Sequence, residues 1–181
     1  MFLARACDPA GFLSGSPAPV GLRAWQKVLC LLCLCVQGKL AALQKFRLSA
    51  EAFDTEAGAK AVTVPQLLTL TACLSVDDAE AAKYYCGGLR SVADYGDASC
   101  ADVIMSAGCI PHVIDCLRRW PADEYVVWGA CGALRMLAEK GSATVRTAIK
   151  SIPGIRDTLQ AAKASGLDSG FAARALSALR L

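Results

Sequence analysis

Cys86-Gly87-Gly88-Leu89-Arg90 is echoed by Cys131-Gly132-Ala133-Leu134-Arg135 and again by Leu176-Ser177-Ala178-Leu179-Arg180. In each stretch small residues precede a Leu-Arg pair, and the three leucines stand 45 residues apart. A constant period in the forties marks a helical array in which one supersecondary unit is copied and stacked. A chain built this way is organised as a surface rather than around one catalytic pocket.

A second period runs beside the first. Ile110-Pro111 and Ile152-Pro153 lie 42 residues apart, and Val64-Pro65 lies 46 before the first of them. Proline suits the start of a helix because its missing N–H would be unpaired there in any case. Downstream, Asp115 matches Asp157 and Leu117 matches Leu159. Spacings of 42, 45 and 46 describe one unit with small loop insertions.

The caps predict where its helices fall. Asp77 and Asp78 open a helix over 79–94, a short helix follows over 99–107 with Gly108 as its C-cap, and a third runs over 110–119. Trp120-Pro121 ends that one, because the residue before a proline is biased out of the helical region. Asp123 then caps a helix through Leu134 to near Gly141, and Ser142 caps a short one to Lys150. Ile152-Pro153 opens another, ending near Ser165-Gly166, and Asp168 or Ser169 caps a last helix through Leu179.

Composition agrees with an all-α chain. Of 181 residues 55% are apolar, much of that alanine and cysteine, while aromatics are only 7%. The net charge is +3 and no dense Lys/Arg run is present, so a nucleic-acid partner is not expected. Most of the ten cysteines lie in apolar helical pattern, which reads as reduced core thiols and a cytoplasmic or nuclear compartment. Residues 1–22, with Pro9, Pro17, Pro19, Gly11, Gly15 and Gly21, read as a flexible leader without signal-peptide order. Val28 to Val36, which includes Cys30, Cys33 and Cys35, is the richest apolar run. It is well short of the roughly 20 residues of a membrane span, so no span is expected. The division expected is a leader (1–22), degenerate N-terminal helices (23–76) and regular repeats (77–181).

Ser106-Ala107-Gly108-Cys109-Ile110-Pro111, continued by His112 to Leu117 and followed by Gly129-Ala130-Cys131-Gly132-Ala133-Leu134-Arg135-Met136-Leu137-Ala138, resembles an armadillo repeat. The resemblance is best over 80–181, weaker over 40–76 and absent over 1–22. It implies a right-handed α-solenoid of three-helix repeats, with a concave groove lined by the third helix of each and able to hold a partner peptide or helix. The groove Asn of nuclear-import adaptors in this family would fall at Ser91, Met136 and Leu181, and their Trp at Gly87, Gly132 and Ser177. The chain contains no asparagine, so a receptor for nuclear-localisation signals is not expected. The last unit reads as truncated, giving an incomplete array whose uncapped end would self-associate.

Arg90, Arg135 and Arg180 precede those three positions by one residue each. In a stacked array they would form a ladder able to capture an acidic peptide, since guanidinium meets carboxylate in a bidentate fork. Ser91 and Met136 would lie beside them as partner contacts. The competing reading is a solvated face, with Arg90 and Arg135 paired to Asp94 and Glu139 four residues on. His112, the only histidine, shares a helix face with Cys109 and Cys116, a weak metal candidate because a zinc site needs a fourth ligand. No nucleophile motif, phosphate loop or carboxylate pair stands out, so neither an enzyme nor a cofactor is expected. The function expected is a non-enzymatic protein-interaction scaffold. The alternatives are a small α-helical metal or redox protein using Cys and His, and a membrane-associated adaptor acting through residues 23–47.

Overall fold

Asp78, Asp97, Asp123 and Ser142 each turn a side-chain oxygen onto backbone N–H groups of the helix that follows. A helix start leaves those donors unpaired, so each cap is a boundary written in the sequence. The computed structural model describes residues 53, 55–72, 74 and 78–181. The expected leader and the apolar segment 23–47 lie outside the described residues.

Among the described residues the chain is all-helical, without strands. The helices are α1 (Glu56–Lys60), α2 (Val64–Ala72), α3 (Ala79–Tyr95), α4 (Ala98–Ser106), α5 (Cys109–Arg119), α6 (Glu124–Lys140), α7 (Ala143–Lys150), α8 (Ile155–Ser165) and α9 (Phe171–Leu179). Their lengths run 5, 9 and 17 residues, then 9, 11 and 17, then 8, 11 and 9. Helix α6 packs against both α3 and α9, while α5 touches α2 and α8. No single described helix is long and apolar enough to cross a membrane.

The 45-residue spacing extends beyond the leucines. Asp78, Asp123 and Asp168 stand at that interval, and the carboxylate of each accepts from an N–H at the start of α3, α6 or α9. Leu89, Leu134 and Leu179 are fully buried on those same helices. So are Ile104 and Ile149 on α4 and α7, and Ile114 and Leu159 on α5 and α8. Gly96 and Gly141 hold another equivalent pair. A Cβ at either would run into a carbonyl of the helix just ended (Val92 O or Leu137 O) and into the first turn of the next, at Cys100 or Val145.

Three boundaries differ from expectation, each through a left-handed residue. Gly108, at φ 68°, precedes α5 rather than simply closing α4, and the two helices bend by 79° there. Helix α8 begins at Ile155, after Gly154 at φ 70°, so Ile152-Pro153 forms the approach and not the first turn. Before α9 the cap position is Gly170, at φ 78°, while Asp168 reaches past it to Ala172 N–H at 2.5 Å.

The end of α9 is tied back. Arg180 adopts φ 52° and Leu181 N–H bonds to Leu176 O at 3.1 Å, closing the helix in a Schellman-type turn. Leu176 and Leu181 are consequently half-buried, and the exposed large apolar residues among those described are Leu68, Tyr95 and Tyr125.

Leu134→Ala should cost about 2–5 kcal/mol of stability, since a fully buried leucine leaves a cavity. Asp123→Ala should cost about 1 kcal/mol for the lost cap. Urea denaturation followed by far-UV circular dichroism measures both; equal losses would contradict the packing described.

Candidate functional site

Helical spacing selects one face of each long helix. On α6, Tyr125, Trp128, Gly132, Arg135 and Glu139 follow one another at intervals of three and four, which places them in a single stripe. On α3 the same is true of Lys83, Gly87, Arg90 and Asp94. The first turn of α9 adds Phe171 and Arg174.

Two glycines of α6 allow these stripes to meet. A Cβ at Gly129 would lie 3.1 Å from Cys86 Cβ and from Gly87 N, so the helices touch nearly backbone to backbone. At Gly132 a Cβ would lie 2.5 Å from Arg90 Cδ and 2.8 Å from its Nε. The missing side chain is the space through which Arg90 crosses α6. Its guanidinium carbon rests 3.7 Å from the centre of the Trp128 ring and 5.5 Å from that of Phe171. The two rings are themselves 6.3 Å apart, tilted at 42°. Arg135 lies 4.9 Å from the Phe171 ring, and Lys83 lies 5.7 Å from that of Tyr125. Each such cation–ring contact contributes about 0.5–2 kcal/mol, depending on its desolvation.

Carboxylates complete the face. Glu139 bridges α6 and α9, at 3.5 Å from Arg135 Nε and 3.2 Å from Arg174 Nη2. Asp94 stands 4.0 Å from Arg90 Nη2, at the limit of an ion pair. Lys83 sits between Glu80 at 3.2 Å and Asp123 at 3.5 Å.

Comparison with protein-family models, with curated proteins and with solved structures finds no match. The face therefore has to be read from its own chemistry.

The expected residues divide. Arg90 and Arg135 do come together, around Phe171, and both also face the acids expected as their partners. Arg180 lies past the end of α9 in its left-handed turn, and the α9 arginine that joins the cluster is Arg174. Ser91 is half-buried. Met136 is only 5% exposed and belongs to the core, which leaves a partner little to touch.

The Cys109, His112 and Cys116 set does not assemble. His112 is exposed while both cysteines are buried, and no group of three His, Cys, Asp or Glu suited to a metal occurs among the described residues. Cys109 Sγ instead faces Thr71 Oγ1 at 3.7 Å, and Thr71 also meets Tyr85 Oη at 3.1 Å. His112 and Cys116 share the lining of a cavity of about 130 Å³ with Thr71 and Trp120. A hydrogen bond to Cys116, with burial second, holds the Cys86 thiol well above its usual range. Burial, aided by the Asp168 carboxylate, pushes the Cys131 thiol up to about 12.

Trp128, Gly132, Phe171 and Arg174 belong to this face and are not among the partner residues that the sequence pattern predicts. The three-four spacing along α6 was a usable signal for Trp128 and Gly132. Nothing local links Phe171 to Arg90, since five helices, α4 to α8, lie between them in the chain.

Gly132→Ala should move Arg90 off Trp128. The helix gains up to about 1 kcal/mol from alanine and loses a cation–ring contact of similar size, so stability should change little. Fluorine NMR of 5-fluorotryptophan-labelled protein should show the Trp128 signal shift with Trp120 unmoved, and an unmoved Trp128 signal contradicts the crossing. A thiol raised to about 12 and buried is neutral at pH 7.5, so Cys131 should resist iodoacetamide in the folded protein and react in urea. Peptide mapping by mass spectrometry reads that directly, and rapid labelling of native Cys131 counts against its burial.

Proposed function

We propose that the chain is an armadillo-type α-solenoid module that acts as a non-enzymatic scaffold, holding a segment of a partner protein along α3, α6 and α9. Two short–medium–long helix triplets and a third that ends in a nine-residue helix support the repeat reading, as do caps and core leucines at a common 45-residue interval. The observation that carries the binding reading is the cation–aromatic face formed by α3, α6 and the first turn of α9. Tyrosine, tryptophan and arginine are the side chains that dominate binding energy at protein interfaces. Tyr125 is 67% exposed, and Trp128 and Phe171 are half-buried with an arginine lying over each. A partner segment covering this face buries aromatic surface already held in place, so it orders few side chains on binding. The buried free thiols of Cys86, Cys100, Cys109, Cys116 and Cys131 support a reducing compartment, cytoplasmic or nuclear.

Peptides selected from a displayed library against the full chain test the face. Their affinity should fall at least about tenfold in Tyr125→Ala and in Trp128→Ala, the range of an interface anchor, and should be unchanged in Arg156→Ala on α8. Peptides that bind all three variants like the parent protein would overturn the proposal.

A further inference from the structure

We propose that Arg90 is the residue on this face that reads a carboxylate of the partner, in an extended segment carrying an aspartate or glutamate beside an apolar residue. The inference rests on the binding face proposed above and assigns its specificity. The three clustered arginines are not equivalent. Arg135 is 15% exposed and paired with Glu139, and Arg174 shares that same carboxylate. Glu139 thus stands within 3.5 Å of both, although Arg135 Nε makes no hydrogen bond to it. Arg90 is 23% exposed, has no acid closer than Asp94 at 4.0 Å, and donates no hydrogen bond among the described residues.

Its posture suits recognition. One face of the guanidinium lies on Trp128, which leaves the in-plane N–H edge as the donor surface, and a carboxylate takes that edge in a planar fork. The stem is confined in the Gly132 gap, so little rotamer freedom remains to be lost on binding. The surrounding charge favours an anion. Arg90, Arg135, Arg174 and Lys140, whose ammonium bonds the Asp94 carbonyl, are gathered here against two carboxylates, Asp94 and Glu139. Toward the start of α6 the balance changes. Lys83 is neutralised by Glu80 and Asp123, and exposed Tyr125 beside it offers an apolar surface for the partner's neighbouring residue. Asp94 would oppose a doubly charged phosphate more strongly than a carboxylate, which favours the latter.

The test uses the full chain and two blocked decapeptides, alternating Glu-Leu and alternating Gln-Leu, followed by backbone amide NMR at matched ionic strength. The expected result is saturable shifts on α3, α6 and α9, with the Glu peptide at least about tenfold tighter, the range of a charge-assisted hydrogen bond. In Arg90→Gln the two peptides should bind alike, and Arg90→Lys, which keeps the charge without the fork, should lose most of the preference. Arg135→Gln should keep it. A preference that survives Arg90→Gln overturns this inference and leaves the binding face standing. Absence of shifts on α3, α6 and α9 with both peptides overturns the face and the inference together. Inorganic phosphate displacing the Glu peptide at lower concentration than acetate would overturn the choice of carboxylate.

Discussion

Gly129 lets α3 and α6 approach backbone to backbone and Gly132 lets Arg90 cross between them, and most of what matters in this protein follows from the two. Glycine inside a helix costs about 1 kcal/mol each relative to alanine, so two in the middle of α6 are a substantial penalty. Close contact of Gly129 with Cys86 and Gly87 stands against it, and Leu89 and Leu134 are fully buried on the same two helices. Burying such side chains contributes about 1.5–3 kcal/mol apiece. Helix contact and functional surface are therefore not separate features. The same thinning of α6 that closes the core opens the passage through which Arg90 reaches Trp128.

The fold was legible in the sequence to the extent that it depends on local chemistry. Asp78, Asp123 and Ser142 act as helix caps where their position before an apolar run says they should. The departures, at Gly108, Gly154 and Gly170, involve left-handed glycines that stand directly before a helix and shift its start from the turn signal. A glycine next to a helix marks a boundary but does not say to which helix it belongs. That choice is made by packing of the elements on either side.

The face was less legible, for a different reason. Arg90 and Arg135 stood out because they recur, but recurrence identifies equivalent positions and not equivalent surroundings. Arg135 finds Glu139 and Phe171, Arg90 finds Trp128, and Arg180 leaves the helix altogether. Met136 occupies a position equivalent to half-buried Ser91, yet it is in the core. Gly132 reads in the sequence as the place where a tryptophan is missing. In the structure it is the place an arginine from the neighbouring helix passes through. Such cross-helix substitutions of one side chain's volume for another's have no one-dimensional signature.

Asp168 connects the two levels. It is the one buried charged side chain among the described residues, and it stands where Asp78 and Asp123 stand on their helices. Its carboxylate takes the Ala172 N–H and its carbonyl takes the Phe171 N–H at 3.0 Å. A buried carboxylate is tolerated there because the helix N-terminus supplies both a donor and a favourable dipole. Helix α9 has nine residues against the seventeen of α3 and α6, so it has less of its own packing to fix its position. The Asp168 cap holds its first residue, Phe171, and thereby holds the ring against which Arg90 and Arg135 both lie. The cap that starts the last helix is thus also what completes the arginine cluster, and losing it would loosen the face before it loosened the core.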